Sequence, residues 1–274
     1  MAEYSYLSRD RFKLDLADTA TTDDAKYRRV LEAVTEQIDH YLGRTFRIHQ
    51  ATKVYTARDG ACLDLPDDLL TVTTLKTDEG SDLTYEITWT ANTDYELYPY
   101  NASQERQPYW RILKRPNGSY SFPVAVPQGV QIVGKWGYWQ ELETLVSQVG
   151  AAGISSSAVT LPVDDGTEVD VLDTLLIGTE QLYVTAISAN NCTVVRGVNG
   201  TTAAAHLDND PIYRYRYPGP VSEACGLQAS RYFLRKGAPF GVVGSADAGF
   251  IRLQNRLDPD VQLMLSPYRL MPVA

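Results

Sequence analysis

Three histidines, His40, His49 and His206, and three cysteines, Cys62, Cys192 and Cys225, are the side chains best suited to hold a transition metal or to supply a nucleophile and its base. No two histidines stand one helical turn apart and no cysteines form a C-x-x-C pair, so the spacing offers no HExxH-type site, zinc clip or disulfide framework. The cysteines read as reduced, buried packing residues. A GxSxG elbow, a GxGxxG turn and a GxxxxGK[ST] loop are missing from the sequence. The nearest glycine-rich string, Arg196-Gly197-Val198-Asn199-Gly200-Thr201-Thr202, lacks a phosphate-gripping lysine and reads as a β-turn. Acidic pairs occur at Asp67-Asp68, Asp164-Asp165 and Asp208 with Asp210, and two carboxylates are what a glycosidase requires. In a chain with 34 acids such pairs arise by chance, and solvated turns account for them. Trp89, Trp110, Trp136 and Trp139 have rings that stack on sugars, but each falls in or beside a strand pattern that directs it to a core or an interface. The sequence therefore nominates no catalytic residue, no cofactor-binding residue and no metal ligand. The expectation is a protein that is not an enzyme and has no cofactor.

The elements that position these residues follow from periodicity. From Thr21 to Gly43 the residues Tyr27, Val30, Leu31, Val34, Ile38, Tyr41 and Leu42 fall on one helix face. Thr21 or Thr22 is the expected cap, Asp23 and Asp24 suit the dipole, and Gly43 supplies a left-handed stop. A shorter helix is expected around Leu7 to Leu16. After Arg44 the pattern turns β-rich, with runs at Thr52 to Tyr55, Cys62 to Leu65, Leu69 to Leu75, Tyr85 to Trp89, Trp110 to Leu113 and Val130 to Trp136. Turn signals divide them, among them Asp59-Gly60 and Pro116-Asn117-Gly118. A small-residue stretch, GAAGISSSA, opens a different region with strands expected at Thr174 to Ile177, Gln181 to Ile187 and Cys192 to Arg196. Pro220 then starts a helix that should end at Gly237, followed by a glycine-rich loop through Gly241, Gly244 and Gly249.

This order predicts an α+β fold: a small helical core from N-terminal and C-terminal helices, a long antiparallel β unit, and a second, inserted small β module. The boundaries expected are 1–45 and 217–274 for the two parts of the helical core, 46–145 for the β unit and 146–216 for the module. Val34, Ile38 and Tyr41 of the first long helix and Tyr232 of the second are the expected core contacts. The last segment, from Asp258, is interrupted by Pro259, Pro267 and Pro272, yet carries Leu263, Met264, Leu265, Tyr268, Arg269 and Leu270. That is more apolar surface than a free tail normally shows, and it marks these residues as a candidate docking arm. Folding back on its own domain is the alternative reading.

Composition narrows the function classes. With 274 residues, 25 Lys+Arg against 34 Asp+Glu and a net charge of −9, the chain is a globular protein of one large domain or two to three small ones. An acidic chain lacks the electrostatic footprint of a phosphate-backbone binder, and Arg44, Arg47, Lys53, Arg58, Arg111, Lys114 and Arg115 are scattered among acids. No run of about 18 apolar residues is present and the opening has no apolar core of a signal peptide, so the expectation is synthesis in the cytoplasm and no membrane partner. The sequons at Asn101, Asn117, Asn191 and Asn199 read as polar turns. Eighteen tyrosines suit half-buried sheets and protein interfaces.

Taken in order, these strings resemble the head-to-tail connector (adaptor, or head-completion) proteins of long-tailed bacteriophages. Thr22-Asp23-Asp24 opens a helix that closes with Ile38-Asp39-His40-Tyr41-Leu42-Gly43-Arg44-Thr45-Phe46, similar to the family's "DD … I-x-x-[YF]-x-G-R-x-F". Leu63-Asp64-Leu65-Pro66-Asp67-Asp68-Leu69 is similar to its "L-x-L-P" turn into a β-segment. Asp94-Tyr95-Glu96-Leu97-Tyr98-Pro99 and Val133-Gly134-Lys135-Trp136-Gly137-Tyr138 match further stations, as do the Pro220 helix and the Asp258-Pro259 to Tyr268-Arg269 ending. The region 146–216 departs from the pattern. Its string from Val194 to His206 is similar to "V-x-R-G-x-x-G-T-x-A-x-x-H" in β modules of other phage structural proteins.

The resemblance implies a non-enzymatic ring component of the virion neck, a dodecamer seated beneath the portal protein. Such a ring relays to the stopper or tail-terminator protein and the tail, and DNA passes through its lumen without specific binding. It also implies that the arm Leu263 to Leu270 docks on the portal. Net negative charge is compatible with DNA passage, with a reach that salt limits to about 8 to 10 Å. The alternative is a phage tail or capsid accessory protein whose β modules hold carbohydrate through Trp and Tyr.

Overall fold

The computed structural model describes residues 3–234, 242–243, 251–252 and 257–270. The glycine-rich loop through Gly241, Gly244 and Gly249, the helix stop expected at Gly237, and the tail from Met271 lie outside the described residues. The fold is α+β, with two antiparallel six-stranded sheets. It divides into two compact units, one made of Met1–Gly43 with Glu141–Leu270 and the other centred on Arg44–Gln140.

The Arg44–Gln140 unit is built on period-two alternation. Its strands are β1 (His49–Tyr55), β2 (Cys62–Thr77), β3 (Ile87–Trp89), β4 (Tyr95–Tyr98), β5 (Tyr109–Lys114) and β6 (Val130–Trp136). They run in the order β1-β6-β2-β5-β4, with β3 also paired to β2. In β6 every second residue is buried, which directs Val130, Ile132 and Trp136 into a core shared with Leu69, Leu75, Trp89 and Ile112. The two strands expected at Cys62 to Leu65 and Leu69 to Leu75 are one strand. The register against β5 slips between Asp64 and Leu69, and Pro66, which has no N–H to donate, sits in that irregularity. Strand β4 was not expected as a strand, because four residues are too few to show a period. Trp136 donates to Ala51 O at 3.0 Å and Trp89 to Thr77 Oγ1 at 3.0 Å, so both indoles are core side chains with satisfied N–H groups.

The other unit joins four helices to the second sheet. Its helices are α1 (Arg9–Asp15), α2 (Asp24–Leu42), α3 (Gly219–Leu234) and α4 (Pro259–Leu265), and its strands are β7 (Glu141–Gln148), β8 (Thr160–Pro162), β9 (Thr174–Ile177), β10 (Glu180–Ser188), β11 (Asn191–Val195) and β12 (Pro211–Arg216). The strand order is β7-β12-β9-β10-β11-β8. Its ends meet through a Val149–Val163 bridge, Gly150 N–H to Pro162 O at 2.9 Å and Asp164 N–H to Gln148 O at 3.0 Å, so the sheet nearly closes on itself. Leu161, Leu175, Ile177, Leu182, Val184 and Ile212 fill its interior.

Helix α2 ends at Gly43 with φ 69°, in the left-handed region that favours glycine. Its N-cap is Asp23 rather than Thr21 or Thr22, and that carboxylate is engaged by Lys26 one turn on instead of by a backbone N–H. Val34, Ile38 and Leu42 are fully buried. Helix α3 packs alongside α2: the rings of Tyr27 and Phe233 lie 4.6 Å apart, Thr35 Oγ1 is 3.7 Å from Cys225 Sγ, and Tyr232 donates to Gln37 Oε1 at 2.9 Å.

Candidate functional site

The candidate docking arm divides by exposure. Asp258 caps α4 through Asp260 N–H at 3.0 Å, and its own N–H donates to Gln228 Oε1 at 3.2 Å, which fixes the start of α4 on α3. Val261 and Leu265 are fully buried, whereas Leu263 is 74% and Met264 36% exposed. Beyond α4, Leu270 N–H donates to Leu42 O at 3.0 Å and the Arg269 guanidinium lies 5.6 Å from the centre of the Tyr41 ring. Leu265 is therefore corrected as a docking residue: one turn of α4 faces its own unit, and the spacing puts Leu265 on that side with Val261. Tyr268 and Leu270 are half-buried and Arg269 is exposed. The side chains left for a partner are Leu263 and Met264, with Leu227 and Leu234 exposed on α3.

Three of the strings that carry the family resemblance meet in the Arg44–Gln140 unit. Arg44 of Gly-Arg-Thr-Phe lies 3.4 Å from Asp68 Oδ2 and covers the Tyr138 ring at 5.0 Å. Phe46 packs on the same ring at 5.2 Å, Tyr138 N–H donates to Thr45 O, and Gly137 N–H donates to Asp68 O at 2.9 Å. Gly137 has φ 134°, and a Cβ there would stand 2.5 Å from Arg47 O. Asp67, the other half of the acidic pair, holds Lys53 at 2.7 Å and accepts from Tyr55 Oη at 2.9 Å. Burial raises the Asp68 carboxyl to about 6 against the pull of Arg44. Burial, with the charges of Arg47 and Lys53, lowers His49 to about 4, so its imidazole is neutral at pH 7. The ring contacts and backbone hydrogen bonds of this junction join chain segments, while His49 Nδ1 and Asp68 Oδ2 are buried without a hydrogen-bond partner among the described residues.

The module string around Arg196 is organised by a residue that the sequence did not nominate, Glu180. Its fully buried carboxylate accepts from Arg196 Nε and Nη2, both at 2.7 Å, from Gly197 N–H and Ala204 N–H at 3.0 Å, and meets His206 Nε2 at 2.8 Å. Burial would raise this carboxyl, but the hydrogen bonds from Arg196, Ala204 and His206 outweigh it and hold the group at about 2. Arg196 also donates to Ser155 O and Ala158 O. The Gly-rich string is thus a loop wrapped round one carboxylate.

A third cluster ties α1 to the second sheet. Arg214 pairs with Asp173 at 3.0 Å and Glu143 at 2.9 Å. The loop before β9 takes hold of the N-terminal segment through Arg9 N–H to Val171 O, Val171 N–H to Asp10 Oδ2 and Ser8 Oγ to Asp170 Oδ2, each 2.9 Å. A polar cleft of about 320 Å³ lies beside these residues, lined by Ser5, Arg11, Asp173, Arg214, Ser222 and Glu223 among others. Burial raises Asp173 to about 6, opposed by Arg214.

The remaining candidates are placed separately. Asp165 caps a 3₁₀ turn through Thr167 N–H, and Asp210 accepts from Leu207 N–H at 2.8 Å. Cys192 and Cys225 are buried and Cys62 is half-buried. Of the four tryptophans, Trp89 and Trp136 are core, while Trp110 packs edge-on to Tyr98 at 5.0 Å.

No family model and no curated protein sequence matches the chain. Among solved structures it is similar to a chain of the "Neck of empty GTA particle computed with C6 symmetry", with 14% identity and a TM-score of 0.41 over 98% of this chain and 92% of that one. At those values the reading of the site stays with the chain's own residues.

Proposed function

We propose that this chain is a structural protein of the head-to-tail neck of a tailed bacteriophage or phage-like particle. In the finer form of the proposal it is the connector ring beneath the portal, a dodecamer that joins the DNA-filled head to the stopper or tail-terminator protein. The observation that carries the reading is the junction of Arg44, Asp68 and Tyr138. Three strings that resemble the connector family, distant in sequence, are spent there on mutual contacts, as expected of residues that hold a scaffold rather than turn over a substrate. Leu263 and Met264 are the proposed contacts to the portal, and in a ring each copy adds a modest contact that avidity multiplies. The acidic balance of 34 carboxylates to 25 cations suits a lumen that DNA crosses without being held.

The test is to mix the purified chain with portal rings and examine the product by electron microscopy and sedimentation. A second ring stacked on the portal supports the proposal. Failure to co-sediment with any portal, together with saturable binding to a glycan array, would replace it with the carbohydrate-binding reading.

A further inference from the structure

Strand β1 is an edge, paired on one side with β6. Asp78 N–H donates to Gly129 O at 2.9 Å, which sets the alternation along β6: the Gly129 carbonyl and the backbone groups of Gln131 turn toward β2, those of Val130 and Ile132 toward β1. In β1 the partners of Val130 and Ile132 are Tyr55 and Lys53, and the Trp136 indole reaches Ala51 O from the same side. The N–H and C=O groups of Gln50, Thr52 and Val54 therefore point away from β6. Among the described residues no hydrogen bond satisfies them, and all three side chains are exposed, Val54 by 40%.

Proteins blunt such edges with short strands, proline, bulges or outward charge. The opposite edge, β4, is blunted: it has four residues, Asn92 N–H closes a turn on Tyr95 O at 2.9 Å, and Pro99 follows it. Strand β1 has none of these devices. It keeps an unbroken seven-residue register with β6, and its lysine, Lys53, is held by Asp67 and lies 4.6 Å over the Trp136 ring.

We propose that β1 pairs with β1 of a second copy of this chain, antiparallel and centred on Thr52, to make a two-fold dimer of the free subunit. In that register Gln50 faces Val54 of the second copy and Thr52 faces Thr52, so the three outward-facing residues of each strand satisfy one another. Lys53 falls opposite Ala51 and His49 opposite Tyr55, which sets no like charges across the pair, and a Thr–Thr cross-strand pair is favourable. The contact is isologous. A cyclic ring with a head side and a tail side has no two-fold axis in its plane, so this pairing belongs to the unassembled chain and opens before a ring closes. It holds whether or not the chain enters a neck.

Sedimentation equilibrium on the full chain, with hydrogen exchange read at Gln50, Thr52 and Val54, tests it. The expected result is a dimer at about 10 μM with those amides protected, unchanged in Thr52→Val. Thr52→Lys, which sets two ammonium groups opposite each other, should give a monomer with an unaltered circular dichroism spectrum and fast exchange at the other two amides. Thr52→Pro, which removes an N–H with no partner inside the chain, should do the same. A monomeric wild type, a ring mass with no dimer, or a dimer that Thr52→Lys leaves intact would overturn the proposal.

Discussion

Arg196 places Nε and Nη2 each 2.7 Å from the two carboxylate oxygens of Glu180, in a site that excludes water from the carboxylate. Removing one partner of a buried pair costs far more than the pair contributes, because the other charge is left without compensation. Glu180→Gln should therefore lower the unfolding free energy by about 3 to 5 kcal/mol, measured as a urea midpoint at pH 7. The folded-state value of about 2 lies below the ordinary 4.5. The charged form thus contributes stability that is present above about 4.5 and lost as pH falls toward 2, and the gap between wild type and variant should narrow over that window.

Asp68 has the opposite sign. Its carboxyl is raised to about 6 from 3.8, so between those values the folded state binds a proton that the unfolded chain does not. This group's contribution makes the fold more stable as pH drops from 7 toward 4. Asp68→Asn should remove that dependence: the stability difference between variant and wild type, followed by chemical denaturation from pH 7 to pH 4, should shift by on the order of 2 to 3 kcal/mol in favour of the wild type at the acid end. A difference that stays flat across the range would show that the raised value is wrong.

At Gly134 a Cβ would stand 2.1 Å from Thr71 O, a backbone atom of the neighbouring strand β2. The neighbour cannot move without opening the ladder between β6 and β2. Gly134→Ala should cost at least about 3 kcal/mol and lower the melting temperature. Gly178→Ala, where nothing lies within 4 Å but φ is 57°, should cost less, about 1 kcal/mol.

On α4 the two faces should respond differently. Leu265→Asp puts a charge into a fully buried position and should destabilise the subunit, whereas Leu263→Asp with Met264→Asp should leave its thermal melt within about 0.5 kcal/mol. The second variant is expected to lose co-sedimentation with portal rings. Equal binding by that variant and wild type would remove Leu263 and Met264 from the proposed interface.

Residues 44–140 have their own core, in which the indole N–H groups of Trp136 and Trp89 find acceptors in the same unit. Expressed alone, this segment should give a cooperative thermal transition and a near-ultraviolet circular dichroism signal from its buried indoles. A featureless near-ultraviolet spectrum would mean the unit needs the rest of the chain.

The elements most legible in the sequence are those whose period matches their burial. Tyr27, Leu31, Val34, Ile38 and Leu42 are the buried side of α2, and Val130, Ile132 and Trp136 that of β6. Strands β7 and β12 escaped because their burial departs from a period of two: the register between them slips from Pro211 to Tyr213, Ile212 and Tyr215 are the buried residues of β12, and Arg214 and Arg216 both pair with Glu143, so a half-buried surface reads as loop. Glu180 escaped for another reason. Its ligands, Arg196, Gly197, Ala204 and His206, are contiguous enough to form a visible string, while the carboxylate they surround lies outside it and has no signature of its own. In the candidate docking arm the apolar content is evident in the sequence, but only the helical phase of α4 separates buried Leu265 from exposed Leu263.

Helix α2 and its partner α3 stand near opposite ends of the chain. During synthesis, roughly 180 residues must be added after α2 before α3 exists, a wait on the order of ten to thirty seconds at ordinary elongation rates. The apolar side of α2 spends that time without its helical partner, while the strands of residues 44–140 can already condense behind it. Completion of the helical pair thereby becomes a late event, and a truncated chain lacking α3 would carry an uncovered Val34–Ile38 stripe that quality-control proteases can recognise.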